Sequence, residues 1–367
     1  MIKVCHVTCV HLPYDVRIFE KECISLSKAG YETHLVQQGE SGERNDVIIH
    51  GYGKPQIGRV RRMLIDAKRA YNTALSIDAD IYHFHDPEFM YYGYKLKKKG
   101  KIVIFDSHEN TAELIKEKQY LPKFLRPIIS FLYRNYERII CNKLDAIVYP
   151  SDEWTNTAKQ LNKNYELISN YPIVKDVPSK DKVKGQIAFA GTITERWCHE
   201  AILSAIKDIE GINYVLCGRI PDEYMTRLEK NEGWKKVTYN GQVSHDEVYD
   251  ILATSTIGVA ILEPGHNTNW ERGTLGCLKI FEEMMMEIPI ICTNFVLWKE
   301  FVEEFHCGIC VQCNNIEQIK KAIIYLLNNP DEALLMGKNG RKAVEERFNW
   351  KNEEKKLLNL YMRILHQ

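Results

Sequence analysis

The stretch QIAFAGTITERWCHEAILSAIKDIEGINYVLCGR, residues 186–219, contains two short apolar runs separated by an amphipathic segment. The runs at Gln186–Ala190 and Asn213–Cys217 have the length and composition of buried strands, and a glycine follows each of them. The segment between them, to about Ile209, has apolar residues at helical spacing. A strand, a helix and a second strand in this order predict a parallel β–α–β unit.

The same alternation extends from this unit in both directions along the chain. Strands are predicted at residues 2–10, 31–37, 80–85, 101–107, 143–150, 236–240, 256–261 and 289–293, with helices at 16–29, at 59–76 and between the later strands. The polar stretch KDVPSKDKVKG, residues 175–185, follows Asn170-Tyr171-Pro172 and is the best linker candidate. Two open α/β sheets are therefore predicted, with ligands expected beyond the carboxyl ends of their strands.

Composition limits the class of protein. The chain has 367 residues, of which 45% are hydrophobic, so each half can bury a core. Lys plus Arg and Asp plus Glu number 49 each, so bulk charge does not indicate a nucleic-acid partner. The opening MIKVCHVTCV resembles a strand and no signal peptide is expected, so the eleven cysteines are interpreted as cytosolic thiols. No apolar run approaches the length of a membrane span.

Two groups of residues have spacings that resemble metal motifs. Cys307, Cys310 and Cys313 have CxxCxxC spacing, but the segment also has the pattern of a strand, where residues three apart point to opposite faces. His83 and His85 stand on one face of a predicted strand, but no third ligand follows at a diagnostic spacing. We expect no metal at either place.

In the second half of the chain, cations follow the strand ends. Arg196 comes shortly after a Gly-Thr turn, and Lys279 lies near the start of the helix CLKIFEEMM. Two cations in one cleft suit a diphosphate, and the backbone N–H groups at Gly273, Gly276 and the helix start would add donors. Glu282, three residues after Lys279, could accept hydrogen bonds from ribose hydroxyls. The alternative is a solvated helix face with a Lys–Glu pair.

In the first half, histidines stand at strand ends. His108 follows KIVIFDSHEN and is expected at the edge of the sheet, where an imidazole can bind a sugar hydroxyl or phosphate, or move a proton. The alternative is a capping or packing role. His83, His85 and Asp86 end the preceding strand and form a weaker candidate of the same kind.

A basic amphipathic run spans residues 116–143, with seven basic and two acidic side chains. Its apolar residues recur every three or four positions, as in helices that lie on anionic membranes. An ordinary domain helix with a solvated basic face is the alternative. The candidates for a membrane-facing role are Lys116, Lys118, Lys123 and Arg126.

At these residues the sequence resembles glycosyltransferase family 4, the bacterial group 1 glycosyltransferases, almost from end to end. Six segments occur in the family's order: HLPYDVRIFEKECISLSKAGYETHLV, IYHFHDPEF, VIFDSHEN, IAFAGTITER, LKIFEEMMMEIPIICTNFVLWKEFVEE and ERFNWKNEEKKLLNLYMRIL. The fifth is similar to the family's donor-site helix, usually written K-x-F-E-Y-M-x-x-G-x-P-V-I.

The resemblance implies a GT-B fold, in which two Rossmann-like α/β domains face each other across a cleft. Residues 1–170 would form the acceptor-side domain and residues 171–349 the nucleotide-sugar-binding domain. The closing helix, about residues 350–367, would pack back onto the first domain.

The resemblance also implies a retaining, metal-independent transfer from a nucleotide sugar, with a UDP-sugar as the expected donor and no cofactor. His108, Arg196 and Lys279 would be the catalytic residues. The implied donor site comprises Gly191, Thr192, Arg196, Gly218, Arg219, Thr274, Leu275, Gly276, Lys279 and Glu282. The acceptor or phosphate side would comprise Asp15, Arg17, His85, Asp86 and Glu109. Retention in this family is usually explained by front-face attack, so no protein base is named.

The sequence departs from the family pattern at three places. Thr274 stands where the family often has a first glutamate, eight positions before Glu282. Ala201 stands where a second cation often follows the equivalent of Arg196, and HLPYD replaces a Gly-Gly loop. The donor sugar is therefore left open.

Function is accordingly expected in the synthesis of a bacterial surface glycan, with a glycan or lipid-linked molecule as the acceptor. An anionic membrane surface is a further candidate partner, which would place the protein in the cytoplasm at the inner face of the plasma membrane. A sugar-nucleotide epimerase on the same fold and a non-catalytic nucleotide-binding subunit are the alternatives. A nicotinamide dehydrogenase is disfavoured, because no GxGxxG follows the first strand.

Overall fold

The computed structural model describes residues 1–118, 120–151 and 154–366, apart from the side chains of Arg59 and Asn267. The chain divides into two compact units. Unit 1 comprises Met1–Asn170 and Trp350–Gln367, and unit 2 comprises Tyr171–Asn349. Each unit contains one β-sheet with helices packed against it, which confirms the predicted fold class of two Rossmann-like α/β domains.

Unit 1 contains an eight-stranded sheet of order β3-β4-β2-β1-β5-β6-β7-β8, in which only the β3–β4 pair is antiparallel. Its strands are β1 Lys3–Val7, β2 Glu32–Gln37, β3 Gly42–Arg44, β4 Val47–Gly51, β5 Ile81–Phe84, β6 Ile102–Asp106, β7 Ala146–Tyr149 and β8 Tyr165–Leu167. Its α-helices are α1 Ile24–Lys28, α2 Arg59–Arg61, α3 Ala67–Ile77, α4 Met90–Lys98, α5 Thr111–Glu117, α6 Arg126–Cys141, α7 Thr155–Leu161 and, after unit 2, α15 Trp350–Leu365. The short strands β3, β4 and β8 were not predicted.

Unit 2 contains a fully parallel six-stranded sheet of order β11-β10-β9-β12-β13-β14. Its strands are β9 Gln186–Ala190, β10 Asn213–Cys217, β11 Val237–Gly241, β12 Ile257–Ala260, β13 Ile290–Thr293 and β14 Gly308–Val311. Its α-helices are α8 His199–Ile206, α9 Asp222–Glu229, α10 His245–Thr254, α11 Leu278–Met285, α12 Val296–Phe305, α13 Ile316–Asn328 and α14 Pro330–Glu346. The strand order reverses between β9 and β12, which is the switch point where open parallel sheets bind ligands.

The helix predicted at residues 16–29 has an unexpected geometry. Val16–Cys23 is a π-helix that continues into α1, and Arg62–Asp66 is a second π-helical segment leading into α3. The Asp15 side chain caps the first π-helix by accepting from the backbone N–H groups of Arg17 and Ile18. π-helical turns are rare and occur frequently at functional sites, and this one carries several of the buried charges of unit 1.

Helix α15 is held in unit 1 by buried polar contacts. Trp350 Nε1 donates to Ser25 Oγ at 2.9 Å, and the Glu353 carboxylate accepts from the Ser169 backbone N–H at 2.7 Å. Tyr361, one of the largest fully buried side chains, lies further along the same helix. These hydrogen bonds fix the helix against α1 and the segment that follows β8, because each buried polar group keeps its partner.

No helix in the described part of the chain is long and apolar enough to cross a bilayer. All eleven cysteines are free thiols. Cys310 lies on β14, in agreement with the strand pattern of its CxxCxxC segment. It pairs in register with Cys292 of β13, and the Sγ–Sγ distance is 3.8 Å.

Candidate functional site

Two glycines end the central strands of unit 2. Gly191 after β9 and Gly218 after β10 have φ of 140° and 138°, conformations that favour glycine. A Cβ on Gly218 would collide with the Gly191 carbonyl, so the two backbones touch. The N–H of Ile193 donates to the Arg219 carbonyl at 3.0 Å, which ties the two loops together. Thr192, between them, is exposed at the edge of the sheet.

Lys279 lies over this glycine turn. It is the second residue of α11, and a Cβ built on Gly191 would stand 2.5 Å from its Nζ. The same Nζ lies 4.8 Å from the centre of the Trp197 ring. A cation from the first turn of a helix therefore stands at the carboxyl end of the central strand, at the switch point of the sheet. Helix N-termini and cations together bind anions such as phosphates.

Arg196 lies in the loop after β9, in the short 3₁₀ turn Glu195–Trp197. Its backbone carbonyl accepts from the Glu263 N–H at 2.8 Å, and the residue is half-buried. Since Trp197 is the ring that Lys279 contacts, the loop that carries Arg196 and the start of α11 meet at this tryptophan. The two predicted cations are thus carried by neighbouring segments.

A buried histidine lies within the electrostatic influence of this cation. His199, at the start of α8, is fully buried and its Nδ1 lies 2.9 Å from the Tyr214 hydroxyl. Burial, with the charge of Lys279 as a second cause, lowers the pKa of His199 to about 3. The ring is neutral at pH 7 and adds no competing positive charge beside Lys279. Sequence reasoning missed it, although a histidine at the start of a strongly apolar helix was a visible signal.

The loop before α11 is held in place by hydrogen bonds between its backbone and two side chains. The Gly276 N–H donates to Thr274 Oγ1 at 3.0 Å, and the Thr274 carbonyl accepts from Trp298 Nε1 at 2.6 Å. Gly273 has φ of 83°, and a Cβ there would stand 2.5 Å from the Cβ of Phe295. Thr274, Leu275 and Gly276 are partly exposed along this loop. Thr274, in the position of the family's frequent first glutamate, therefore shapes the loop.

Glu282 lies one turn along α11 from Lys279 and is only 7% exposed. The Tyr249 hydroxyl donates to its Oε1 at 3.1 Å, and His245 Nε2 lies 3.2 Å from the same oxygen. This burial does not fit the alternative of a solvated Lys–Glu pair. The two partners from α10 hold the carboxylate in a fixed direction, as a carboxylate that binds hydroxyl groups requires.

Sequence reasoning missed Glu283, the residue after Glu282. It is 1% exposed, and its carboxylate packs against β12, where a Cβ on Gly258 would stand 2.6 Å from Oε2. Burial raises the pKa of Glu283 well above its usual range, and the nearby Lys279 opposes this rise. A glutamate on the apolar face of FEEMMM was the signal that could have identified it.

In unit 1, His108 stands after β6 at the edge of the sheet. Its side chain is 17% exposed, so it is not sealed inside the unit. His108 Nε2 lies 3.0 Å from His85 Nδ1 and 3.3 Å from Asp106 Oδ2. The ring also contacts His11, with 4.7 Å between the ring centres. His108 is therefore an accessible imidazole with one nitrogen directed into the unit.

Asp86 and Asp15 organise the loop after β1. Asp86 is 2% exposed and accepts from Thr8 Oγ1 at 2.8 Å and from the Cys9 N–H at 2.6 Å. Asp15 Oδ2 lies 3.3 Å from His11 Nδ1. Burial disfavours the charged forms of both side chains, but the hydrogen bond between them outweighs this effect. The pKa of His11 is therefore raised, and the pKa of Asp15 is held below its usual range. Both carboxylates therefore support the loop, Asp86 from a buried position and Asp15 from one that is 29% exposed.

Arg17 is directed inward. Its side chain is 4% exposed, Nε and Nη2 donate to the two oxygens of Asp106 at 2.9 and 3.0 Å, and Nη1 donates to the Ile168 carbonyl at 3.0 Å. Burial disfavours the charged forms of both side chains, but the attraction between Arg17 and Asp106 outweighs this effect. The pKa of Arg17 is therefore raised, and the pKa of Asp106 is held well below its usual range. Arg17 thus lies beneath the site, which departs from the expectation that it faces a phosphate or the acceptor.

A group of buried residues in unit 1 has the composition of a metal site. Glu22, His83, His85 and Asp106 each have one ligand atom within 4.8 Å of the others, and this is the one such group among the described residues. Arg17, however, occupies both oxygens of Asp106 and its Nε lies 3.2 Å from Glu22 Oε1. A guanidinium already supplies positive charge at this place, which disfavours a divalent ion beside it.

The remaining predicted residues lie at the surface of unit 1. Glu109 is exposed, and its backbone carbonyl accepts from Ser107 Oγ at 3.1 Å. Lys116 pairs with Glu113 at 2.8 Å, and Arg126 Nε donates to the Leu121 carbonyl at 2.9 Å. Lys118 is half-buried and Lys123 is exposed. Of the four membrane-facing candidates, Lys123 is exposed, and the other three are half-buried.

Comparison with known proteins gives family matches to both halves of the chain. Residues 171–343 match the family model described as glycosyl transferases group 1, and residues 21–170 match the model for glycosyltransferase family 4. An uncharacterized glycosyltransferase of Methanocaldococcus jannaschii is 22% identical over 274 residues. That match covers 73% of this chain and 64% of the relative, which is less than two thirds of the relative's length.

Solved structures of similar fold span the whole chain. Sucrose-phosphate synthase from Thermosynechococcus elongatus has a TM-score of 0.78 at 15% identity, covering 100% of both chains. HepE from Anabaena, solved in complex with UDP and glucose, has a TM-score of 0.74 at 10% identity, covering 99% of this chain and 100% of HepE. At these identities the likeness shows the fold.

Proposed function

The chain belongs to the glycosyltransferases, with a family 4 domain at residues 21–170 and a group 1 domain at residues 171–343, and from this premise we propose that it is a retaining transferase that uses a UDP-sugar. The acceptor is a glycan or a lipid-linked molecule in bacterial surface polysaccharide synthesis. One observation carries the proposal: Lys279 lies over the Gly191 turn at the carboxyl end of β9.

The leaving group explains why a cation is needed there. Cleaving the bond between the sugar and the diphosphate leaves negative charge on the phosphate oxygens. Lys279 and the first N–H groups of α11 stabilise that charge as it develops, and Arg196 adds a second cation from the loop after β9. These groups are held in place before the reaction, which makes them more effective than mobile water. With this charge compensation in the protein, the transfer requires no metal and no cofactor.

Glu282 has the properties of a ribose ligand. A carboxylate can accept hydrogen bonds from two neighbouring hydroxyl groups, and Tyr249 and His245 orient this one through Oε1. Glu282 lies three residues from Lys279 on α11, so a nucleoside diphosphate bound along the helix start can reach both side chains. The resolved UDP complex of the similarly folded HepE supports a uridine nucleotide as the donor.

His108 is the proposed contact to the donor sugar. It is the partly exposed end of a polar cluster, and a neutral imidazole can donate to or accept from a sugar hydroxyl. Front-face attack, in which the leaving phosphate accepts the acceptor's proton, accounts for retention without a protein base. His108 then has a binding and orienting role.

A membrane surface is the proposed location of the acceptor. Unit 1 exposes many large apolar side chains on α6 and in the segment before it: Phe124, Ile128, Phe131, Leu132, Tyr136 and Ile139. Exposed Ile57, Val60 and Leu64 form a second apolar segment of the same unit, beside Arg61 and Arg62. Apolar side chains next to basic ones are typical of helices that bind anionic lipid. These side chains support the proposal that the protein is cytoplasmic and peripheral at the inner face of the plasma membrane.

Incubation of the protein with a panel of UDP-sugars in the absence of acceptor tests the function. We expect slow release of UDP from one member of the panel, with ¹H NMR of the freshly released sugar showing the anomeric configuration of the donor. Inversion at a ring carbon without UDP release would indicate an epimerase instead. Binding of UDP without any turnover would indicate a non-catalytic nucleotide-binding subunit.

A further inference from the structure

Three buried histidines stand on one face of the unit 1 sheet. His6 on β1 is directly paired in register with His83 on β5, and His85 lies two residues further along, next to β5. Because side chains two residues apart on an extended chain point to the same face, the three rings lie together. All three side chains are 0% exposed. Their ring centres are separated by 4.6, 4.9 and 5.1 Å.

Two of these rings, His6 and His85, form a continuous chain of short polar contacts from Tyr361 to His108. The Tyr361 hydroxyl on α15 lies 3.3 Å from His6 Nε2. His6 Nδ1 lies 2.9 Å from His85 Nε2, and His85 Nδ1 lies 3.0 Å from His108 Nε2. His6 and His85 each use one nitrogen for the preceding contact and the other for the following one. The partly exposed His108 is thus linked to a fully buried tyrosine through two rings.

The protons in such a chain must be ordered. Burial lowers the pKa of His6 and His83 well below the usual range and that of His85 to about 4. At pH 7 each of these rings is neutral and carries a single N–H. Each nitrogen–nitrogen contact needs one donor and one acceptor, so the state of one ring determines that of the next.

The Tyr361 end of this hydrogen-bond chain determines the direction in which its N–H and O–H groups donate. Tyr361 also lies 2.9 Å from His83 Nδ1, while His83 Nε2 is buried without a hydrogen-bond partner. A buried orphan acceptor is tolerated better than a buried orphan N–H, so the proton of His83 belongs on Nδ1 and donates to Tyr361. The Tyr361 hydroxyl then donates to His6, His6 Nδ1–H to His85, and His85 Nδ1–H to His108 Nε2.

The charged neighbours fit this order. Asp106 Oδ2 lies 3.4 Å from His85 Nδ1 and 3.3 Å from His108 Nε2, so it attracts the N–H between the two rings. Glu22 Oε2 lies 3.7 to 4.0 Å from one nitrogen of each of His6, His83 and His85, and burial raises the pKa of this carboxyl. Arg17 offsets the charge of Asp106 from the side of the first helix.

We propose that Tyr361 is a positioning residue for His108: through His6 and His85 it holds the His108 proton on Nδ1, the nitrogen that faces away from the buried chain. The proposal deepens the proposed function, because its catalytic consequence requires that His108 contacts the donor. Tyr361, at the inner end of this hydrogen-bond chain, is fully buried, so the series of contacts does not conduct protons from solvent. It sets which His108 nitrogen presents a donor to the sugar.

The Tyr361→Phe variant tests the proposal, since it removes one hydroxyl and keeps the ring. With ¹⁵N-labelled histidine, the ring nitrogen shifts of His108, assigned by the His108→Asn spectrum, report its tautomer directly. We expect one tautomer with Nδ1 protonated in the wild type and a mixture in Tyr361→Phe. We also expect kcat to fall on the order of 10-fold while the donor KM changes little, as when a histidine loses the partner that orients it. Tyr31→Phe, which changes a ring in edge contact with Tyr361, is the matched control and should behave as the wild type.

Each outcome decides the proposal. Unchanged His108 nitrogen shifts in Tyr361→Phe would overturn it, and so would changed shifts with an unchanged kcat. If Tyr361→Phe does not fold, His6→Gln interrupts the next link and should give the same change in the His108 shifts. Changed shifts in a protein that turns over no UDP-sugar would uphold the tautomer link and reject the proposed function. The two failures are therefore distinguishable.

Discussion

The ammonium of Lys279 lies so close to the backbone of Gly191 that a Cβ at this glycine would stand 2.5 Å from Nζ. A residue of α11 and the end of β9, 88 positions apart in the numbering, form one surface element at the switch point of the unit 2 sheet. The glycine is needed for two reasons, its φ of 140° and the space that the lysine occupies.

Gly191→Ala should therefore abolish most turnover by displacing Lys279. We expect kcat to fall on the order of 10²-fold, the cost of losing one electrostatic donor. Gly211→Ala is the matched control, because Gly211 also has a left-handed φ of 68° in unit 2 but nothing lies within 4 Å of its Cβ. Thermal melting reports the backbone strain in each variant, which should be larger at Gly191 because its φ lies further from the region open to alanine. Steady-state kinetics should show loss of kcat in Gly191→Ala alone. Equal kinetics in the two would separate Lys279 from the reaction.

Arg17→Met should destabilise unit 1 strongly. The substitution leaves the buried carboxylate of Asp106 without its bidentate partner, and breaking a buried ion pair in this way costs about 3–5 kcal/mol. Arg363→Met serves as the control, since its pair with Glu166 lies at the surface, with side chains 43% and 24% exposed, and such pairs contribute about 0–1 kcal/mol. Urea unfolding followed by circular dichroism measures both. A loss below about 1 kcal/mol in Arg17→Met would mean that Asp106 does not depend on this guanidinium.

Glu137 should make the stability of unit 1 depend on pH. Burial raises the pKa of Glu137 to about 7, and the nearby Arg134 opposes this rise. The folded state therefore keeps a proton that the unfolded chain releases above its ordinary pKa of about 4.3. The free energy of unfolding should fall as pH rises from about 4.5 to about 7, by about 3 kcal/mol from this group.

Replacement of Glu137 by Gln should remove that decline, whereas replacement of the exposed Glu43 by Gln should leave it. Urea unfolding at pH 5, 6 and 7 measures the slope for each protein. An identical slope in Glu137→Gln and the wild type would show that this carboxyl does not titrate in the interval.

Phe131→Glu should weaken binding to anionic vesicles. Phe131 is 65% exposed on α6, and a carboxylate there removes apolar contact and repels the lipid. We expect at least about tenfold weaker flotation with phosphatidylglycerol vesicles at low salt, from the loss of about 1.5–3 kcal/mol of buried side chain. Leu335→Glu, at a 59% exposed position on α14 of unit 2, is the control. If the wild type does not float at low salt, the basic amphipathic run is an ordinary solvated surface.

Local pattern was sufficient to predict much of the architecture. The β–α–β spacing at residues 186–219 and the strand ends at Gly191, Gly218 and His108 appear where they were predicted, because short apolar runs ending in turn residues carry that information. The π-helical turn at Val16–Cys23 was not predicted, because its apolar spacing is the same as that of an α-helix over so short a segment.

Contacts between distant segments could not be predicted in this way. The contact of Lys279 with Gly191 depends on strand order, which no local spacing encodes. His6 joins the histidines of HFH only because β1 pairs with β5, and Tyr361 reaches them from 278 positions beyond His83. Arg17 had the right residue type for a phosphate ligand, but its direction depends on the buried Asp106.

Isothermal titration calorimetry of UDP and UMP with the wild type and Lys279→Ala tests the central claim most directly, with Lys299→Ala, a 57% exposed lysine of the same unit, as the control. The wild type and the control should bind UDP more tightly than UMP. Lys279→Ala should lose about tenfold or more in UDP affinity, the value of one charge-assisted hydrogen bond, and with it the preference over UMP. Wild-type affinity for UDP in Lys279→Ala would contradict the proposed diphosphate site.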